Sequence, residues 1–308
     1  MRVSSVTMYE QSISSMNRQQ NDFLKVSQQI ASGRRVVNPS DDPQAASRAV
    51  GVDQSRAVTQ QFADSRVSAR NSLAQTESVL NSVSDAVISA KTLIIQAQND
   101  TLSDPDRQSI ASELRGIYET VFGQANATDG NGRYIFGGYK DDAPPFEKQA
   151  GDVAYVGDSN IREQRIDASR LMKVGENGES IFQSTAGDVD EDNTDLFTTF
   201  EKALNVLENP PGDAETLHGT LDEVMREFDN SLDNVLTKRA SVGARLNELD
   251  VIDSVGGNRM LNYEQTLSDL VDLDYAEAIG DYTLRQVGLQ ASQKAFADMK
   301  GMSLFNYL

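Results

Sequence analysis

Apolar residues return along this chain at helical spacing in several long stretches. In the first, Tyr9, Met16, Phe23 and Ile30 recur at every seventh place. Val6 and Ile13, continued by the polar Gln20 and Ser27, form a second row three or four places away. Rows that alternate by three and four lie on one seam of a helix. Only one row is firmly apolar, so the stripe is narrow, and nucleation is too costly for such a helix to fold stably by itself. The plain alternative is an ordinary amphipathic helix. The far end repeats the spacing with Tyr275, Tyr282, Leu289 and Phe296, set among small residues such as Ala276, Ala278, Gly288 and Ala295. Two weakly apolar helices, one at each end, are expected to pair with each other or with other subunits.

Between them the pattern strengthens. Phe62, Ala69, Thr76, Val83, Ala90 and Ala97 form one row, with Leu73, Leu80, Val87 and Ile94 as the other. The seam predicts a long rod-like helix that stops near NDTLSDPD, where Ser103 or Asp104 can cap a successor ahead of Pro105. That successor carries Ile110, Leu114, Ile117, Val121 and Ala125. A late rod carries Leu217, Leu221, Val224, Phe228, Leu232, Val235 and Leu236, then Leu246 and Leu249. Long amphipathic segments of this kind make a bundle.

From Asp129 to Ser184 glycine and β-formers take over, and GENGES, between Val174 and Ile181, reads as a hairpin turn. The expected class is mainly α with a small β insert: a terminal-helix coiled coil plus a long helical rod bundle. The divisions expected are residues 1–38 and 264–308 for the terminal pair, 39–140 and 193–263 for the rod, and 141–192 for the insert.

Composition narrows the chemistry. The net charge of −19 argues against a nucleic-acid partner, which would need a basic stripe, and against an anionic membrane surface. With no cysteine there is neither a disulfide framework nor a thiolate metal site. The first residues lack an apolar core and a cleavage site, so export, if it occurs, would not read a Sec signal. No stretch is expected to span or insert into a membrane.

Candidate sites of catalysis or ligation fail on their own spacing. Asp188, Asp190 and Asp192 alternate like the first ligands of a calcium loop, but Asn193 stands where glycine is needed and Thr199 where a bidentate glutamate is needed. A solvated loop is expected there. GNGRYIFGG lacks the third glycine of a phosphate loop, Ile135 standing in its place, and reads as a tight turn into a strand. His218 is the only histidine, and Asn126-Ala127-Thr128 reads as a helix end. No catalytic residue, metal or cofactor is expected, and an enzyme is the least supported class.

The stretch SGRRVVNPSDDPQAAS carries a different grammar. Gly33 suits the left-handed end of the first helix, and Arg34 and Arg35 are placed to complement that helix's negative pole. Asn38 before Pro39 is held extended. Ser40, Asp41 or Asp42 then caps a new helix with Pro43 in its first turn. It is a stop, a corner and a start.

These segments together carry a resemblance. The corner resembles that of the flagellin superfamily. DLDYAEAIGDYTLRQVGLQAS and the closing SLFNYL are similar to its C-terminal helix, and RASVGARLNELD to its last rod helix. NATDGNGRYIFGGYK is similar to the hook-associated protein 3 branch of that superfamily, found at the hook–filament junction. The resemblance implies a structural protein of the bacterial flagellum, exported unfolded through the flagellar type III apparatus with a chaperone on its C-terminal helix. It implies copies of itself in a ring layer, with hook-associated protein 1 on one side and flagellin on the other. Flagellin itself is the alternative, and a non-flagellar coiled-coil module a more distant one.

Overall fold

The computed structural model describes residues 2–149, 152–184 and 194–301. It is mainly helical with a small strand content, as the spacing predicts. The helices are α1 (Arg2–Ser32), α2 (Pro43–Ala97), α3 (Asp104–Ala125), α4 (Glu179–Phe182), α5 (Leu196–Glu208), α6 (Ala214–Val271) and α7 (Tyr275–Gly301). The strands are β1 (Phe146–Gln149), β2 (Asp152–Tyr155), β3 (Glu163–Asp167), β4 (Arg170–Lys173), β5 (Gln183–Ser184) and β6 (Thr194–Asp195), paired in antiparallel twos. The chain divides into two compact units, residues 1–60 with 257–308 and residues 61–256. We call these the terminal and the central unit.

In the central unit the α2 seam is the core. All of its positions from Ala69 to Ala97 are buried, and only Phe62 is half-exposed. Leu217, Leu221, Val224, Phe228 and Val235 of α6 close on it, together with α3 and the strongly amphipathic α5. Leu236, expected on the late seam, is instead 43% exposed. It adjoins Val235, and on a helix only one of two neighbours can face the same partner. Arg70 of α2 meets Asp250 and Asp253 at 2.7 Å, and Lys91 and Gln98 meet Asp229 and Asp222. These pairs fix α2 and α6 as antiparallel.

One 18-residue window of α2 is apolar enough to cross a bilayer, contrary to the expectation that none would be. Its apolar seam, however, is the packed core just described. The start of α3 is closed by Asp106, whose carboxylate accepts from the Ser103 amide at 3.0 Å and the Ser103 hydroxyl at 2.6 Å.

The hairpins share the helices' core. Phe146 and Val153 join Phe136, Phe182 and Phe197, with ring centroids 5.3–5.5 Å apart around Phe146, Phe136 and their neighbours. Ile166, Met172 and Val174 pack on Ala69 and Leu73 of α2 and on Val242 and Leu249 of α6. The buried Arg66 guanidinium ties this hairpin down. It donates to the Ile166 carbonyl at 3.0 Å and pairs with Asp253.

Two turn expectations change. GENGES is not a hairpin turn: β3 pairs with β4, and GENGES leads into the single turn α4. The reason is tertiary. Glu176 is buried against Arg245 at 2.6 Å, the Asn177 side chain accepts from the Glu179 amide, and Gly178 lies where a Cβ would come 2.8 Å from the Phe146 ring. GNGRYIFGG does turn tightly, with Gly132 at φ +81 and Asp129 accepting from the Asn131 and Arg133 amides. It continues into an isolated bridge, Thr128 to Tyr134, rather than a strand. Asn126 ends α3 with both faces of its amide used on the Phe146 backbone, and His218 meets Asp100 at 2.7 Å. The loop with Asp188, Asp190, Asp192 and Asn193 lies outside the described residues; Thr199 is buried in α5.

Candidate assembly surface of the terminal helices

Among the described residues the terminal unit has little interior. Of the buried apolar residues in the described chain, only Val26, Val36, Ala45 and Ala278 belong to it; the other 38 belong to the central unit. What holds it is the pairing of α1 with α7. The rings of Tyr9 and Phe296 lie 5.3 Å apart, and those of Phe23 and Tyr282 lie 4.9 Å apart. Going from Tyr9 to Phe23 moves as far up α1 as going from Phe296 to Tyr282 moves down α7. The helices are therefore antiparallel in one continuous register.

Along this seam Gly288 admits the Gln19 side chain, and Asp22 meets Arg285 at 2.9 Å. The small residue is what permits the approach, because a Cβ at 288 would lie 3.2 Å from the Gln19 oxygen. Met16, Ile30 and Leu289 are half-buried, while Tyr9 and Tyr275 remain 46% and 51% exposed. Leu24, Leu261, Ile279, Leu284 and Val287 also face water. At about 25 cal/mol per Å² of apolar surface, so many half-covered side chains leave several kcal/mol of burial unrealised.

The corner is built as a clasp. Gly33 takes φ +70, ending α1, and its carbonyl accepts from the Leu273 amide at 3.0 Å. In return the Arg35 amide donates to the Val271 carbonyl at 2.8 Å. The Arg35 side chain serves a different helix end from the one expected. The Arg35 guanidinium donates to the Leu270 carbonyl at 2.7 Å, so it satisfies the last turn of α6, and Arg34 bridges to Asp272 through its backbone.

Asn38 to Asp41 forms a turn with Pro39 in its second place. Asp41 accepts from the Asn38 amide at 2.8 Å and pairs with Lys25 at 3.1 Å. Of the three capping candidates it is Asp42 that caps α2: it accepts from the Ala45 amide at 3.0 Å, with Pro43 as the first helical residue, and it pairs with Arg35 at 3.2 Å. Both carboxyls are held below the usual aspartate range, Asp41 chiefly by the Asn38 amide and then by Lys25, Asp42 chiefly by the Ala45 amide and then by Arg35.

Sequence reasoning missed two members of the clasp. Asp274 caps α7, accepting from the Ala276 amide at 2.8 Å; the spacing Asp274-Tyr-Ala-Glu277 was a readable signal for it. Tyr275 leaves the seam and brings its hydroxyl to the open side of Gly33, 3.0 Å from where a Cβ would stand. Among the described residues no group of three histidine or carboxylate side chains is placed to hold a metal.

A helix pair with a thin interior, a clasped corner and half-exposed apolar side chains defines a flagellin-like class of protein. Comparison with known proteins narrows it. Residues 3–141 match the bacterial flagellin N-terminal helical region. Over 99% of both chains the sequence is 42% identical to flagellar hook-associated protein 3 of Escherichia coli K12. It is 24% identical to the flagellin of Bacillus subtilis over 88% of this chain and 86% of that one. Among solved structures, the flagellar junction protein of Legionella pneumophila superposes with a TM-score of 0.62, covering 73% of this chain and 100% of that one. At 17% identity this last likeness speaks for the fold alone. The chain belongs to the flagellar hook-associated protein 3 family, and is a structural component of the bacterial flagellum.

Proposed function

We propose that the chain forms the layer joining the flagellar hook to the filament, and that its terminal helices complete their folding only when that layer forms. The observation that carries this is the contrast in burial among the described residues: four buried apolar residues in the terminal unit against 38 in the central unit. Tyr9, Met16, Phe23 and Ile30 of α1, with Tyr275, Tyr282, Leu289 and Phe296 of α7, present half-covered apolar surface that neighbouring copies would bury. Coupling folding to binding sets ordering entropy against contact energy, which keeps free monomers from polymerising early.

On this reading the neighbours are copies of the chain in a ring, hook-associated protein 1 on the hook side and flagellin on the filament side. A protein between two unlike partners needs two unlike, heterologous faces. The same marginal termini suit passage, unfolded, through the flagellar type III apparatus to the cell exterior, with a chaperone covering α7. The corner residues Gly33, Asn38, Pro39, Asp41, Asp42 and Pro43 would set the turn from inner helix pair to rod.

Electron microscopy of the purified chain, mixed with hooks that end in hook-associated protein 1 and with flagellin, tests this. The expected result is a short layer on those hook ends from which flagellin then grows. Long filaments of this chain alone would assign it to the filament instead. Binding to neither would remove the junction role.

A further inference from the structure

The acidity of this chain is not spread evenly. Residues 61–256 hold 35 of the 47 acidic and 17 of the 28 basic side chains, so the central unit carries −18 of the net −19. The terminal unit, with the remaining 12 acidic and 11 basic side chains, is nearly neutral. The four acids of the loop outside the described residues account for only a small part of this imbalance.

Most of the central cations are already engaged within their own unit. Twelve of the 17 are ion-paired within their own unit, Arg70 with two aspartates and Lys202 with two glutamates. Lys140, Arg165 and Lys238 donate to carbonyl or hydroxyl oxygens of the same unit. Carboxylates such as Glu113, Asp142, Glu147, Glu215 and Asp233 are exposed, and carry no ion pair among the described residues. With 15 of the 17 cations engaged inside the unit, its surplus of exposed carboxylates is left anionic.

We infer that this partition makes association between copies of the chain depend on ionic strength: the neutral terminal unit attracts its neighbours and the central unit repels them. The inference rests on the ring-forming reading above. Each copy joining a layer brings a further −18 alongside its neighbour, and like charges at this density oppose association until salt screens them. The screening length falls from about 30 Å at 0.01 M salt to about 8 Å at 0.15 M, the range over which neighbouring protein surfaces cease to sense one another. In dilute salt the monomer is held apart by charge as well as by the entropy of its termini. In salt near the physiological range only the second barrier remains.

The test uses the full chain and a fivefold variant, Glu113→Gln, Asp142→Asn, Glu147→Gln, Glu215→Gln and Asp233→Asn, whose fold is checked by circular dichroism. Sedimentation of each is followed against sodium chloride, with and without hooks ending in hook-associated protein 1. Sucrose at matched osmolality serves as a control for general strengthening of apolar burial. We expect association to rise with salt and not with sucrose, and the variant to reach half-maximal association at about half the salt concentration. Association that ignores salt, or an equal midpoint for parent and variant, overturns the inference while leaving the junction role intact. No association of either protein with itself or with hooks at any salt overturns both.

Discussion

At the scale of single residues, the corner concentrates the information. Gly33 is required twice, by its positive φ and by the Tyr275 hydroxyl beside it. Gly33→Ala should destabilise the clasp by about 1–2 kcal/mol, read as faster hydrogen exchange at the Arg35 and Leu273 amides. Unchanged exchange at both amides would show that the left-handed turn is dispensable. Asp41 and Asp42 give the corner a pH dependence. Their carboxyls titrate lower in the fold than in the unfolded chain. Their contribution is therefore complete above the ordinary aspartate range and is lost as pH falls through their depressed values. Asp42→Asn should keep the cap but lose the pair with Arg35 and with it part of the acid sensitivity. Asp42→Ala should lose both. Exchange at the Ala45 amide, compared between neutral pH and pH below the ordinary aspartate range, separates the two variants. That a cap lay among Ser40, Asp41 and Asp42 was legible in the sequence. That Arg35 would serve carbonyls at Leu270 and Val271 was not, because no local rule reaches a partner more than 200 residues away.

At the scale of elements, legibility follows the length of the pattern. The α2 seam holds over several turns, and its positions from Ala69 onward are buried as spacing predicts. GENGES was misread because glycine and asparagine signal turns wherever they stand, while Arg245 and the Phe146 and Phe136 side chains decided what this turn joins. The packed seam yields a firm expectation. Phe228, fully buried and 4.9 Å from the Phe200 ring, should cost about 3–5 kcal/mol as Phe228→Ala, seen as a lowered midpoint in denaturant. The buried Arg66 invites a second: Arg66→Met leaves Asp253 with Arg70 as its one cationic partner and takes the donor from the Ile166 carbonyl. We expect a loss of about 2–3 kcal/mol, less than for a wholly buried pair because Asp253 keeps 31% of its side chain in water. An unchanged midpoint would mean that Arg70 compensates alone. The α1–α7 pair was legible as a seam, and its ring pairs follow the predicted rows. By contrast with Phe228→Ala, Phe296→Asp should leave the denaturant midpoint of the central unit unchanged and abolish incorporation at hook ends; wild-type incorporation would discard the seam as an assembly element.

At the scale of the whole molecule, the two units differ in kind: among the described residues one has a large core and carries the excess charge, while the other has four buried apolar residues and is nearly neutral. Limited proteolysis of the monomer should trim the ends first and leave a resistant fragment near residues 61–256. Termini as resistant as the centre would count against folding coupled to assembly. Composition made the overall acidity plain, but its partition appeared only when the boundaries of the units were known. The clasp at Gly33 and Leu273 carries one more consequence. Its strands of backbone are 240 residues apart, so it is among the most non-local contacts of the chain, and nothing short of a nearly complete polypeptide can close it. A chain emerging from a pore with its N-terminus leading would have its first corner in place long before the second arrived. A molecule interrupted before Leu273 would thus have a free first helix and no latch. The latch works as an inspection mark, closing only on finished goods.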